Sequence, residues 1–152
     1  MRSHDSEKLQ QSSSFTLSNY YNLMYTGPVL LGTPQQGSTS SAFIYDSGSG
    51  WLTVNTYPCP NCSSWYYNPA VSSTVTNSTY VQTELAYGSA QLNGTTAADT
   101  VCLWTSPSST CVTGFSFFEI LSQEGLDGLD GILGLSPAAS QNGPSYLMNL
   151  YL

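Results

Sequence analysis

The chain has 152 residues, of which only 7% are charged, and its formal net charge at pH 7 is −7. Its basic side chains, Arg2 and Lys8, and its single histidine, His4, all lie within the first eight positions. Beyond Lys8 this excludes a basic groove for nucleic acid, a Ser-His or Cys-His nucleophile pair and a Schiff-base lysine, and leaves carboxylates and tyrosine for acid-base chemistry.

The first segment, residues 1–19, is polar and serine-rich and has no hydrophobic periodicity. Such a composition predicts a flexible leader or a propeptide remnant, followed by one structured domain over residues 20–152. The segment contains no apolar stretch typical of a signal peptide, and no run in the chain is long and apolar enough to predict a membrane span.

From Tyr20 onward the chain consists of short runs rich in β-branched and aromatic residues, bounded by Gly, Pro, Asn or Ser. They are "YYNLMYTGPVLLG", "SAFIYD", "WLTVNTY", "YVQTELAYG", "AQLNGTTAADTVCLW", "CVTGFSFFEIL" and "GILGL". Closely spaced runs of this type predict an all-β fold. Only the last residues, "PSYLMNLYL", favour a helix, with a proline at its start and no glycine after it. We therefore expect a chain that is truncated within a helix.

The run "IYDSGSGWL" brings Asp46 from a strand into a turn of small residues. Taken alone, Asp, Ser and Gly are ordinary turn residues. The same small residues also leave backbone amides free to bind a carboxylate.

Two later stretches have a comparable character. "ELAYGSAQLNGTTAADTV" predicts a hairpin around Gly88 and Ser89, with Tyr87 near its tip. In "LDGILGLSP", Gly131 and Gly134 permit close approach of neighbouring backbones.

The four cysteines favour two local disulfides, Cys59–Cys62 and Cys102–Cys111, although four cysteines allow three connectivities. The spacing and the lack of a nearby histidine argue against zinc, so no metal site is predicted. The acceptor pattern for N-glycosylation occurs at Asn61, Asn77 and Asn93. Together these features favour the secretory pathway, with a lysosomal, vacuolar or extracellular destination.

These motifs, in this order, resemble the N-terminal lobe of pepsin-like aspartic proteases. Asp46-Ser47-Gly48-Ser49 matches the active-site loop of the family, "ELAYGSA" its flap, and "LDGILGL" the segment that braces the aspartate loop. "LLGTPQQ", "YNPAVSSTV" and "DTVCL" match as well, so the resemblance runs from about Tyr20 to the end. It implies a β-rich lobe with a flap hairpin, one of two lobes that each supply an aspartate to a shared water, without metal or cofactor.

The resemblance also implies roles for the loop residues. Asp46 is the catalytic carboxylate, Gly48 donates a backbone hydrogen bond to it, and the Ser49 hydroxyl bonds it. Ser47 ties the aspartate loops of the two lobes together.

Further roles concern the substrate cleft. Tyr87 closes over substrate with Gly88 and Ser89, and Ile132 lines the cleft. Thr53 stands where the family has a tryptophan that bonds the flap tyrosine, and Trp51, two residues earlier on the same strand face, is expected to substitute in part. Ala90 stands where glycine is usual in the flap.

The sequence contains no second Asp-[Thr/Ser]-Gly motif after Asp46. The main hypothesis is therefore a single-lobe fragment of an endopeptidase that acts on polypeptides at acid pH, inactive without a missing C-terminal lobe. Two alternatives remain: a homodimeric aspartic protease and a non-catalytic module that binds peptides or glycans. In each case an unpaired lobe is expected to self-associate.

Overall fold

The computed structural model describes residues 14–38, 40–62, 65–103, 110–137 and 143–151, and within them strands predominate. The strands are β1 (Ser18–Tyr20), β2 (Met24–Gly27), β3 (Leu30–Leu31), β4 (Phe43–Asp46), β5 (Leu52–Asn55), β6 (Thr76–Asn77), β7 (Glu84–Tyr87), β8 (Ala90–Cys102), β9 (Cys111–Glu124) and β10 (Gly131–Gly134). A 3-10 turn covers Pro69–Val71, and helix α1 covers Tyr146–Tyr151. The all-β prediction is confirmed.

All ten strands belong to one mixed sheet in the order β1-β2-β4-β10-β5-β9-β8-β3, and β6 and β7 both pair with β8. Two of its pairings are parallel: β10 with β4, and β5 with β9. The long strands β8 and β9 form an antiparallel pair that is interrupted by two register shifts. β10 lies between β4 and β5. It is therefore directly beside the loop that joins these two strands and begins at Asp46.

Two apolar clusters pack against the sheet, and β9 contributes side chains to both. Phe115 and Phe117 pack into one cluster, while Phe118 and Ile120 pack into the other. Since successive side chains of a strand point to opposite faces, β9 is buried on both sides. The first cluster includes the ring of Tyr146, so α1 is fixed to the main core by its first residue.

Close packing explains the two glycines of β10. A Cβ added to Gly131 would lie 1.9 Å from the carbonyl oxygen of Thr53, and one added to Gly134 would lie 2.5 Å from the carbonyl carbon of Gly50. Both distances are far below van der Waals contact, so only glycine allows β10 to lie this close to the chain around β5.

The first strand begins at Ser18, inside the segment 1–19 that the sequence predicts to be a flexible leader. Ser18 and Asn19 belong to β1, and the ring of Phe15 packs edge-on against Tyr45 with centroids 5.9 Å apart. The end of the serine-rich segment therefore belongs to the edge of the sheet, where the Phe15 ring provides an apolar contact. Residues 1–13 of the expected leader lie outside the described part of the chain.

Both disulfides are present with the expected pairing, Cys59 with Cys62 and Cys102 with Cys111. The second joins residues that face each other across β8 and β9, whereas the first closes a short loop after β5. No helix in the described ranges is long and apolar enough to cross a membrane.

Candidate active site

Asp46 ends β4, and its carboxylate is held by the turn that follows. The backbone N–H of Gly48 donates to Oδ1 of Asp46 over 2.9 Å. The carbonyl oxygen of Asp46 accepts from the N–H of Leu135 over 2.8 Å, just beyond β10. The side chain is thus fixed from its own loop, while the backbone is fixed from the bracing segment.

A second set of contacts joins the bracing segment to the loop. The N–H of Ser136 donates to the carbonyl of Ser49 over 2.9 Å, and Gly134 donates to the carbonyl of Trp51 over the same distance. At the other end of β4, the carboxylate of Asp130 accepts from the N–H of Ala42 over 2.8 Å. The segment that begins at Asp130 therefore holds β4 at both ends.

The hairpin formed by β7 and β8 covers the aspartate loop. Tyr87 pairs with Ala90 across a two-residue turn, and Gly88, the first residue of that turn, has φ of 53°. A glycine with positive φ at this position is typical of the tight hairpin turns that match the twist of paired strands. Ala90, at the position where the family has glycine, is buried within β8.

The loop and the hairpin enclose a cavity of about 470 Å³. Its lining residues are Asp46, Gly48, Ser49, Gly50, Trp51, Leu85, Ala86, Tyr87 and Gly88. Asp46 is the only acidic residue among them, and no group of three or more potential metal ligands occurs within the described ranges. The arrangement presents one carboxylate at a partly apolar cleft beneath a tyrosine.

Tyr87 is electrostatically coupled to this carboxylate. Burial, together with the charge of Asp46, raises the pKa of the Tyr87 hydroxyl to about 12. The phenol therefore stays protonated at any pH below that value and can donate a hydrogen bond into the cleft.

Two predicted contacts are not formed. The Ser49 hydroxyl is buried and has no hydrogen-bond partner in the described part of the chain, so the expected bond to Asp46 is absent. The indole N–H of Trp51 is likewise buried without a partner, although Trp51 lines the cavity together with Tyr87. Its ring packs edge-on against Tyr80 and Phe118 instead.

The remaining predicted residues occupy different surroundings. Ser47 is exposed in the turn, and Ser89 is exposed at the hairpin tip. Ile132 is buried in the second apolar cluster and does not line the cavity. Thr53, at the position where the family has tryptophan, is fully buried, and its hydroxyl accepts from the N–H of Ile132 over 3.1 Å. Thr53 thus stabilises β10 rather than reaching the flap.

The comparisons with known proteins agree with this geometry. The family model described as "Eukaryotic aspartyl protease" matches residues 24–150. The chain belongs to this family.

Its curated relatives include pepsins and cathepsins. Pepsin A of Gallus gallus is 34% identical over 131 residues, which cover 84% of this chain and 35% of that protein. Cathepsin D of Bos taurus is 34% identical over 142 residues, covering 83% and 35% respectively. Cathepsin E of Cavia porcellus is 35% identical over 135 residues, covering 82% and 32%. The chain thus spans about a third of the length of these relatives.

Three structural residues of the chain were not identified from its motifs. Asp130 braces β4 as described above, and Asn55 donates through its side chain to the carbonyl of Leu129 over 2.9 Å. Asp99 is fully buried and accepts hydrogen bonds from several side chains. All three depend on contacts between distant parts of the chain, which no local pattern reveals.

Proposed function

We propose that the chain is one lobe of an acid-acting aspartic endopeptidase and that Asp46 is one of its two catalytic carboxylates. The observation that carries this proposal is the position of Asp46, held by Gly48 at a cavity covered by the Tyr87 hairpin. The second carboxylate comes from a second lobe that this sequence does not contain, since no other Asp-[Thr/Ser]-Gly motif follows Asp46.

The chemistry requires both carboxylates in one proton-sharing pair. Two carboxylates placed close together cannot both ionise readily, so the pair holds one proton over a range of acid pH. The ionised member takes a proton from a water molecule as the water attacks the peptide carbonyl carbon. The protonated member donates its proton to the carbonyl oxygen. The carboxyl group that took the proton from water then gives it to the departing nitrogen as the C–N bond breaks, and the other carboxylate takes back a proton from the tetrahedral adduct. The products are a carboxylic acid and an amine, and neither a covalent intermediate nor a cofactor is needed.

In this proposal the cleft residues position a polypeptide substrate. Tyr87 contributes a protonated hydroxyl and an apolar ring at the cover of the cavity. Ser47, exposed beside Asp46, meets the corresponding loop of the second lobe. Ser89 at the hairpin tip supplies backbone groups to the substrate, and Ile132 shapes the cleft from beneath through its packing.

The compartment proposed for this protease is the secretory pathway, with an acidic or extracellular destination. Two disulfides support it, because such bonds persist where the environment is oxidising. Asn77 and Asn93 are exposed and are the proposed glycosylation sites. Asn61 is less suited, since its side-chain carbonyl accepts from the N–H of Gln123 over 3.2 Å and its amide donates to the carbonyl of the same residue.

The proposal is tested by comparing the 152-residue chain alone with the same chain followed by the second lobe of Gallus gallus pepsin A. Hydrolysis of an acid-unfolded protein at pH 3 to 4 is measured, with circular dichroism to establish folding. We expect no turnover by the single chain and measurable turnover by the two-lobed protein. Turnover by the single chain that rises with the square of its concentration would instead favour the homodimer. A two-lobed protein that folds but does not hydrolyse the substrate would contradict the proposal that this chain is a catalytic lobe.

A further inference from the structure

A second cavity of about 360 Å³ lies against β8 and β9 and shares no lining residue with the cleft of Asp46. Its lining residues are Pro69, Val75, Thr76, Asn77, Thr95, Thr96, Ala97 and Glu119. One of them, Asn77, begins the glycosylation acceptor sequence Asn77-Ser78-Thr79. A residue that can carry a covalently attached sugar therefore forms part of the wall of a cavity.

The strand pairings show which side chains of this lining share a face of the sheet. Asn77 lies directly opposite Ala97 across β6 and β8, and Thr95 lies directly opposite Glu119 across β8 and β9. Because directly opposite residues, and residues two apart on one strand, direct their side chains to the same face, all four side chains share one side of the sheet. Val75 packs against the first apolar cluster, to which Ala97 also belongs. The side chain of Asn77 is therefore on the same side as the apolar and polar walls of the cavity.

The amide group of Asn77 is available for modification in the folded chain. Asn77 is exposed, and its side chain forms no hydrogen bond with the residues that the structure describes. Thr79, the third residue of the acceptor sequence, is also exposed. Asn61 differs, since both atoms of its amide group are hydrogen-bonded to the backbone of Gln123. Asn77 therefore leaves room for an attached sugar, whereas Asn61 does not.

A sugar ring matches the composition of these walls. A pyranose ring has C–H groups on its faces and hydroxyl groups at its rim. The apolar side chains of Pro69, Val75 and Ala97 can pack against a face of the ring. The hydroxyl of Thr95 and the carboxyl group of Glu119 can exchange hydrogen bonds with its rim. Ligand cavities usually span about 300 to 1,000 Å³, so this small one suits one or two rings rather than a long oligosaccharide.

We propose that Asn77 carries an N-linked glycan whose first sugar, an N-acetylhexosamine, packs into this cavity. The inference rests on the secretory-pathway part of the proposed function and is independent of catalysis. In the transfer reaction, the amide nitrogen of Asn77 forms a bond to C1 of the sugar and gives up one proton. The bond from C1 to the diphosphate of a lipid-linked donor breaks, and the lipid diphosphate leaves with the electron pair.

Covalent attachment makes weak contacts with the cavity sufficient. A sugar joined to Asn77 is held at the cavity, so its effective concentration there is in the range of short tethers, millimolar or above. The same sugar free in solution lacks this advantage and is not expected to bind measurably. Because the attached sugar contacts these walls only in the folded chain, it stabilises the folded state.

Asn93 provides an internal comparison for Asn77. It begins the second acceptor sequence on β8, Asn93-Gly94-Thr95, and it is exposed. It lines neither this cavity nor the cleft of Asp46. A register shift also separates Asn93 from Gly94 and the residues that follow it along β8. A sugar on Asn93 is therefore expected to lie outside this cavity and to stabilise the chain less.

The test uses the 152-residue chain, secreted from eukaryotic cells behind a cleavable signal and trimmed enzymatically to one N-acetylglucosamine at each site. Asn93→Gln carries the sugar on Asn77 only, and Asn77→Gln carries it on Asn93 only, with intact mass to establish occupancy. In Asn93→Gln we expect nuclear Overhauser contacts between sugar protons and the methyl groups of Val75 and Ala97. Adding Thr79→Ala, which keeps Asn77 but removes the acceptor sequence, should lower the melting temperature by at least about 3 °C.

The outcomes separate this inference from the proposed function. Occupancy of Asn93 with Asn77 unmodified, or a modified Asn77 without contacts to Val75 and Ala97, would overturn the inference alone. No sugar at either site would also count against the secretory pathway. A stabilisation by the Asn93 sugar equal to that by the Asn77 sugar would show that the cavity is not its cause. None of these measurements involves hydrolysis, so none depends on whether the two-lobed protein is active.

A blocking variant distinguishes docking of the sugar from its attachment. In the Asn93→Gln background, Thr95→Tyr places an aromatic ring at an exposed position that lines the cavity, and the acceptor sequence at Asn77 stays intact. The contacts of the sugar with Val75 and Ala97 should then be lost. Gln91→Tyr, at an exposed position of β8 that does not line the cavity, is the matched control and should keep them. Contacts that persist unchanged in Thr95→Tyr would overturn the proposal.

Discussion

At the scale of single residues, Asp99 shows how a buried charge is stabilised without any cation from the described part of the chain. Its carboxylate is fully buried and accepts from the hydroxyls of Tyr67, Ser72 and Thr74 and from the N–H of Thr100, over 2.5 to 2.7 Å. Burial by itself raises the pKa of Asp99. The four hydrogen bonds, all of which favour the ionised form, outweigh burial and hold the pKa below its usual value.

This arrangement predicts how stability depends on pH. Because the pKa of Asp99 is lower in the folded chain than in the unfolded chain, the unfolded chain takes up a proton first as the pH falls. The stabilisation is therefore complete above the unfolded value, about 3.9, and is lost as the pH falls through the folded value. We expect the folded chain to keep this contribution across moderately acid pH, where an acid protease operates.

We predict that Asp99→Asn lowers the free energy of unfolding at pH 5 by about 2 to 4 kcal/mol. The side-chain nitrogen of asparagine is itself a donor, so it leaves some of the surrounding donors without an acceptor. Urea unfolding at pH 5 and pH 3 measures this, with Asp127→Asn, at an exposed acid, as the matched control. The deficit of Asp99→Asn should shrink towards the lower pH. An equal deficit at both pH values, or one as small as that of the control, would contradict the account.

At the scale of elements, the contact of β10 with β4 and β5 holds the aspartate loop in place. Its parallel pairing with β4 ends opposite Asp46, and its antiparallel pairing with β5 runs through Thr53. The closeness of these strands depends on the absence of a side chain at Gly131, because a Cβ there would meet main-chain atoms, which cannot rotate away.

We predict that Gly131→Ala costs more than about 3 kcal/mol in the free energy of unfolding or prevents folding, as overpacking against a backbone does at its upper range. Gly128→Ala is the matched control. It has φ of 74° but nothing within 4 Å of an added Cβ, so only the conformational cost of about 1 to 2 kcal/mol applies. Thermal unfolding of both variants checks the difference, and equal losses would show that close packing at Gly131 is not the cause.

Much at this scale could be predicted from the sequence. The strands around Asp46, the hairpin with Tyr87 at its turn and the glycines of β10 all follow from local patterns of turn residues and alternation. The partners of Asp99 could not be predicted, because Tyr67, Ser72 and Thr74 lie 25 to 32 residues away from it. The packing of Trp51 against Tyr80 and Phe118, rather than a bond to Tyr87, likewise depends on tertiary contacts.

At the scale of the whole molecule, the β1–β2 hairpin presents large apolar side chains at an exposed edge of the sheet. Tyr21 and Leu23 are 92% and 89% exposed, and Tyr20 and Tyr25 of the adjoining strands are also exposed. β1 is the last strand of the sheet on this side. An exposed edge strand with apolar side chains is a site where a second chain can pair.

We predict that the 152-residue chain self-associates through this hairpin and that Tyr21→Asn with Leu23→Asn raises the monomer fraction. Asparagine suits the positive φ of 55° at Tyr21, so the turn should survive the change. Sedimentation velocity over a concentration series measures the effect, with Val81→Asn, at a position 90% exposed elsewhere, as the control. A wild-type chain that stays monomeric throughout would contradict this prediction.

The measurement that most directly tests the central claim is the hydrolysis of an acid-unfolded protein by the two-lobed form with Asp46→Asn. The change keeps the size of the side chain and removes its ability to take a proton from water. We predict a fall in kcat of at least about a hundredfold at pH 3 to 4 with unchanged folding, and no change for Asp127→Asn. Wild-type turnover by Asp46→Asn would show that Asp46 is not the catalytic carboxylate.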